Sequence, residues 1–275
     1  MHLLVLADLH LDEVTDPHHL AALSDAIGEV GKGADLMILA GDLAENAVRN
    51  WPKVLRWLGR LYPSAQTIVV PGNHDYYGGN LSTLDGDLAR ICKDEGCRFG
   101  QCLRTDLGDV RILTTTLWTD LQLFAARGTP VFEDTLWQAQ MMPDYGVEAI
   151  GFGSPERRLW PEDTTRVHAA QKAWLIGEFS IPWSGKTVVI THHAPLASVA
   201  GPITPLSPCF ASNLEAEIEQ YRPAAWLFGH THRPTEARAF GGTLLRNVSV
   251  GYGSELQPGE VVDRVRTGLI DVGEL

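Results

Sequence analysis

An amide, an imidazole and a carboxylate stand side by side at Asn73, His74 and Asp75, directly after a β-branched run and a Pro-Gly pair. A turn needs only one such residue, so three with different donor and acceptor properties point to a site. Other groups of the same kind occur along the chain: Asp8 and His10 flank one residue, Asp42 follows Gly41, His192 precedes His193, and His230 and His232 flank Thr231. Asp8, His10, Asp42, Asn73, His192, His230 and His232 together offer nitrogen and oxygen donors and no thiolate. Such a set suits divalent Zn, Mn, Fe, Co or Ni better than a soft metal. It is too large for one tetrahedral ion and fits two ions sharing a carboxylate, with positions left for water and substrate. Two ions about 3.5–4 Å apart clamp a phosphoryl group and lower the pKa of a bound water. Each group alone has a plainer account: Asp8 and His10 as caps, Gly41-Asp42 as a turn, the last His pair as surface residues. On an extended segment, however, His230 and His232 point the same way.

The elements that position these residues are legible as apolar runs. Residues 3–8, 35–42, 67–73, 110–118, 187–193, 225–232 and 244–250 are rich in Val, Ile and Leu and read as buried strands. Residues 17–32, 48–62 and 163–179 repeat apolar side chains at helical spacing. Pro52 is expected in the first turn of the second helix, or as its start. Strands alternating with helices predict an α/β fold with a largely parallel sheet. Five strands then end on metal-capable side chains, and ligands in open α/β sheets bind outside the carboxyl ends of strands. Residues 118–162 break the rhythm and read as an inserted lid or substrate loop within one domain spanning 1–275.

The chain has 275 residues, 44% hydrophobic and 20% charged, and a net charge of −12. That balance disfavours a broad grip on DNA or RNA, yet permits a small anionic substrate held through metal ions. The N-terminal stretch lacks a basic region and a cleavage site and reads as a strand. No run approaches a membrane span, so a cytoplasmic protein is expected. Cys92, Cys97, Cys102 and Cys209 are too widely spaced for a zinc site and read as reduced thiols. His2, His18, His19 and His168 read as surface or helix-face histidines. His193 is expected to point away from its neighbour His192.

In order, the blocks "ADLHLD" (7–12), "AGDLAEN" (40–46), "PGNHDYY" (71–77), "THHAP" (191–195) and "FGHTHRP" (228–234) resemble those of the calcineurin-like metallophosphoesterases. The resemblance spans most of the chain. The "TTTLWTD" and "MMPDY" stretches are similar to those of an uncharacterised bacterial branch. It implies a two-sheet β-sandwich flanked by helices, a four-layer αββα arrangement. It implies one ion on Asp8, His10, Asp42 and His232, another on Asp42, Asn73, His192 and His230, and Asp42 as the bridge. It also implies that His74 contacts the phosphate or protonates the leaving group, with Asp75 orienting His74. Glu45 and Asn46 receive no direct role.

The expected reaction is hydrolysis of a phosphodiester or phosphomonoester by a hydroxide bridging the ions, with His74 helping the leaving oxygen depart. The alternatives are a non-catalytic metal-binding scaffold on the same fold, or a nuclease. The complete donor set disfavours the scaffold, and the negative charge disfavours the nuclease. Substrate choice is assigned to residues 118–162, with 197–210 contributing. Arg157 and Arg158 are candidate substrate contacts because a guanidinium grips phosphate as a fork. Trp118, Trp137 and Tyr145 are expected to pack the loop's core.

Overall fold

A computed structural model describes residues 1–147, 149–257 and 259–275. In chain order the elements are β1 (His2–Leu6), α1 (Pro17–Gly31), β2 (Leu36–Ala40), α2 (Ala47–Leu58), β3 (Thr67–Val70), β4 (Gly79–Asn80), α3 (Leu84–Asp94), β5 (Arg98–Phe99), β6 (Leu103–Leu107), β7 (Val110–Thr115), α4 (Pro130–Ala139), β8 (Ile150–Phe152), β9 (Arg157–Arg158), α5 (Pro161–Ser180), β10 (Lys186–Thr191), α6 (Ser207–Phe210), α7 (Glu215–Tyr221), β11 (Ala225–Phe228), β12 (Glu236–Arg238), β13 (Leu244–Asn247), α8 (Glu260–Thr267) and β14 (Leu269–Asp271). One sheet runs β14-β1-β2-β3-β5 and a second β12-β13-β11-β10-β7-β6. Both have parallel interiors, and β14, β12 and β6 join their edges antiparallel.

Side-chain alternation explains why the sheets stack. In β1, Leu3 and Val5 face one apolar cluster and Leu4 and Leu6 another. Ile38 opposes Met37 and Leu39 in the same way, and in the second sheet Val188 and Ile190 oppose Val189. Leu3, Val5, Ile38, Val188, Ile190 and Leu227 fill the layer between the sheets. The outer face of the first sheet packs on α1, α2, α3 and α8, and that of the second on α5 and α7. Strands apolar on both faces are what a doubly covered sheet demands, and each fully buried Leu or Ile contributes about 1.5–3 kcal/mol. The α/β sandwich flanked by helices is therefore present, with two sheets where the alternation of elements alone predicts one.

The long apolar runs all became strands. Short elements escaped the pattern: β6, β12 and β14 have one to three residues buried or half-buried and carry charge at the edges. Residues 118–162 are less irregular than expected, since they contain α4 and the β8–β9 hairpin, which pairs with β4 in a small third sheet. Pro52 sits inside α2, past its first turn. Its missing N–H leaves the carbonyl of the half-exposed Val48 without a helical partner, and water can replace that bond. No helix among the described residues is long and apolar enough to cross a membrane.

Candidate metal centre

The first sheet delivers Asp8 and His10 just beyond β1, Asp42 beyond β2, and Asn73 and His74 beyond β3. The second delivers His192 beyond β10, and His230 and His232 beyond β11. The two edges are tied where Ala7 pairs with Ser249. The chain leaves these strands abruptly: Asp8, His10, Asp42, His230 and His232 have φ of 56°, 39°, 55°, 69° and 50°. Left-handed backbone at a residue with a Cβ costs about 1–3 kcal/mol and clusters at functional sites. Crowding demands glycine alongside. A Cβ on Gly72 would stand 2.7 Å from His192 Cε1, and one on Gly229 2.6 Å from Asp8 Oδ2.

Two groups of donor atoms result, Asp8, His10 and His232 in one and Asp42, His192 and His230 in the other, each with its atoms within 4.8 Å. In the first, His10 Nε2 lies 3.2 Å from His232 Nε2, and His232 Nε2 lies 3.3 Å from Asp8 Oδ1. Asp42 stands between the groups, with Oδ2 3.8 Å from His10 Nε2 and 3.4 Å from His192 Nε2. Asn73 Oδ1 lies 2.9 Å from His192 Nε2. His230 Nε2 is buried and meets no protein partner, an orphan that a metal ion would satisfy. Outer contacts fix the rings as ligating histidines require: His192 Nδ1 lies 3.0 Å from the Ala40 carbonyl, His232 Nδ1 2.8 Å from Glu255 Oε2, and His10 stacks on Tyr252.

The electrostatics suit cations. Burial raises the Asp8 pKa, but His232 outweighs it and holds the carboxyl at about 2. Burial at Asp42 is likewise outweighed by His192 and His74, which keep it well below the usual range. Uncompensated burial lowers His10 to about 4 and His230 well below its ordinary value. The carboxylates are thus ionised and these two imidazoles neutral, the forms that bind metal. His192 and His232 rise to about 9, where Asp42 and Asp8 overcome burial, so metal uptake must displace protons from them.

His74 and Asp75 occupy one short turn but do different work. His74 stacks on Tyr77, meets His10 edge-on with ring centres 5.0 Å apart, and places Nδ1 2.9 Å from Glu45 Oε1. Burial opposes its charge, yet Asp42, Glu45 and Asp144 together raise its pKa. Asp75 does not orient this ring. It is fully buried and accepts from the Leu43, Ala44 and Gly72 amides and from Trp51 Nε1. Burial and Asp42 push it up to about 7, but four N–H donors converge on the ionised form. The carboxylate therefore shapes the loop carrying Asp42, and Glu45 is the ring's partner. Asp75→Ala would strand those donors at about 1–3 kcal/mol each before relaxation. A fall in Tm of about 10 °C is expected by calorimetry, whereas Asp75→Asn should lose less.

Asn73 is set from a distance. Its Nδ2 donates to Asp144 Oδ1 at 2.7 Å, which turns its Oδ1 toward His192, and the Tyr77 hydroxyl reaches the same carboxylate at 3.2 Å. Asp144 belongs to the "MMPDY" stretch, so residues 118–162 enter the site through a buried carboxylate. Asp144→Leu should free the Asn73 amide and weaken the ion beside His192 by about 10–100-fold, with the ion at Asp8 retained. Titrating stripped protein with Mn in a calorimeter would measure both affinities.

Other expectations are revised. Arg157 binds Asp163 bidentately at 2.6 and 2.9 Å, and Arg158 lies over the Trp160 ring. Those contacts account for both guanidiniums without a substrate. Trp118 and Tyr145 are buried as expected, but Trp137 is 67% exposed on α4. His168 lies on α5, as the helix-face reading has it, but is buried, its Nδ1 on the Trp118 carbonyl. His193 is buried beside His230, ring centres 4.3 Å apart, and faces the Thr116 carbonyl. The four cysteines are free. Glu45, Asp144, Tyr252 and Glu255 are the residues that sequence reasoning missed. Glu45 alone had a local signal, an acid three residues past Asp42.

A family model for calcineurin-like phosphoesterases matches residues 1–234. An uncharacterized protein of Acanthamoeba polyphaga mimivirus is 22% identical over 272 residues, covering 91% of each chain. An uncharacterized metallophosphoesterase of Helicobacter pylori is 27% identical over 101 residues, 36% of this chain and 27% of that one. Among solved structures, a phosphopantetheinyl hydrolase from Mycobacterium tuberculosis superposes with a TM-score of 0.69 at 21% identity, over 92% of this chain and 90% of that one. A dimetal phosphatase from Danio rerio does so with 0.51 at 13% identity, over 90% and 86%. Those superpositions establish a shared fold. With the matching family model and the two donor groups at the strand ends, the chain belongs to the calcineurin-like phosphoesterase family and is a metal-dependent phosphoric ester hydrolase.

Proposed function

We propose that the protein is a dinuclear phosphoesterase for a small phosphorylated molecule, with Asp8, His10, Asp42 and His232 holding one divalent ion and Asp42, Asn73, His192 and His230 the other. The observation that carries this reading is the position of Asp42 Oδ2, between His10 of one donor group and His192 of the other. Bound ions of the Mn, Fe, Zn, Ni or Co type would activate water and neutralise phosphoryl charge. Asp8 and Asp42 contribute the negative charge that holds them. His74, whose pKa neighbouring carboxylates raise and whose Nδ1 Glu45 anchors, donates its other N–H to the leaving oxygen. Residues 118–162 set Asn73 through Asp144 and form a substrate-facing insertion within one domain.

The test is turnover of p-nitrophenyl phosphate and bis-p-nitrophenyl phosphate by stripped protein resupplied with Mn, Fe, Zn, Ni or Co in turn. Metal-dependent preference for the diester identifies a phosphodiesterase, and the reverse a phosphatase. A phosphopantetheinyl ester belongs in the same panel, since a protein of shared fold carries that activity in its name. Full loading with two ions and no turnover of any ester would overturn the catalytic reading in favour of a metal-binding scaffold.

A further inference from the structure

A groove of about 650 Å³ opens beside the Asp8 group, between the start of α1 and the start of α8. Its inner wall is His10 and Tyr252, whose rings stack with centres 4.2 Å apart. Tyr252 belongs to the same short turn as Glu255, which grips His232. One segment therefore both braces a metal-site histidine and walls the groove. The floor is apolar, from Leu9, Ala22, Leu256 and Val261. Hydrogen-bonding groups stand above it at Ser254, Gln257, His18 and His19, and carboxylates at Glu13 and Asp16. Among the described residues no Lys or Arg lines it.

We infer that this groove receives the alcohol portion of the substrate, and that it selects phosphoesters whose alcohol is extended and carries no negative charge. The inference rests on the phosphoesterase reading of the adjoining centre. A phosphoryl group at the metals leaves its ester oxygen free to run past His10 onto the apolar floor. Each methylene group buried there should tighten binding about fourfold. A second phosphate or a carboxylate on the alcohol would meet Glu13, and Asp16 where it caps α1, with no Lys or Arg to receive it, whereas an amine would meet complementary charge. Polynucleotides and polyphosphates are disfavoured by the same argument, since their recognition needs clustered basic groups. Selectivity here comes from repulsion as much as attraction.

The test uses unreactive probes, so that it does not depend on turnover. Binding of hexyl-, ω-aminohexyl- and ω-carboxyhexylphosphonate, in which a carbon replaces the ester oxygen and leaves no bond to hydrolyse, to Mn-loaded protein would be measured calorimetrically at low salt. The expected order is amino tightest and carboxy weakest, with about tenfold between them, the scale of two partly exposed charge contacts. Glu13→Lys, on an exposed turn, should reverse the order of the charged probes. Ala22→Phe should weaken all three while leaving methylphosphonate itself unchanged. Equal affinity for the three probes, or an order indifferent to Glu13→Lys, would overturn the inference. Turnover of the whole ester panel is scored separately: its failure with two ions loaded and the binding order intact refutes the catalytic reading and leaves the groove's charge selection standing.

Discussion

Replacing Asp42 by Asn is expected to abolish binding of both metal ions and to lower phosphoester turnover at least about 10³-fold, the upper range for removing one electrostatic element of a catalytic site. The argument rests on geometry. Asp42 Oδ2 is the carboxylate oxygen that approaches histidines of both donor groups, while Oδ1 accepts the His74 amide at 2.9 Å. Asn preserves an acceptor for that amide and removes the charge, so the loop keeps its shape while each ion loses its shared ligand. His10→Ala, by contrast, should empty only the first group. Metal content by mass spectrometry separates these results. An Asp42→Asn protein that retains one ion at full occupancy would show that Asp42 does not bridge.

The second large effect is expected at His74. His74→Ala should leave the metal content of the protein unchanged and reduce kcat by about 10²–10⁴-fold for alkyl esters, the usual contribution of general acid catalysis. The loss should shrink for nitrophenyl esters, whose leaving oxygen needs less help from a proton. The pH profile supplies the sign. His74 has a raised pKa because Asp42, Glu45 and Asp144 outweigh its burial, so the proton-bearing form persists to higher pH and activity falls as pH rises through that pKa. Glu45→Gln removes the partner at Nδ1 and should move this alkaline limb to lower pH. Equal losses for alkyl and nitrophenyl esters, or a limb that does not move, would assign His74 to phosphate binding alone.

The sequence made the donor residues visible because the ends of parallel strands are the one place where an apolar run must stop at a site. Leu3 to Leu6, Leu36 to Ala40 and Lys186 to Thr191 could hardly be read otherwise, and each leads straight to a donor. Their supporting partners were not visible. Asp144 lies 71 residues from Asn73 and Glu255 lies 23 from His232, and no periodicity links such pairs. The role the resemblance implies for Asp75 did not hold: in a tight turn, neighbouring side chains diverge, and its carboxylate went to the amides of Leu43 and Ala44. The short edge strands and α8 were missed because few buried residues give too little pattern to count. Residues 118–162 looked structureless because α4 leaves Val131 and Trp137 exposed, so its apolar face is blurred.

The division of labour between the sheets has a consequence for how the protein is made. Apart from β14, the first sheet is drawn from residues 2–99 and the second from residues 103–247. Each proposed ligand set takes members from both, pairing Asp8 and His10 with His232, and Asp42 and Asn73 with His192 and His230. A chain emerging from the ribosome therefore carries the first-sheet residues for most of its synthesis without a centre that could grip an ion in the final geometry. On those ligand sets, neither half of the chain completes a centre until the two sheets have docked.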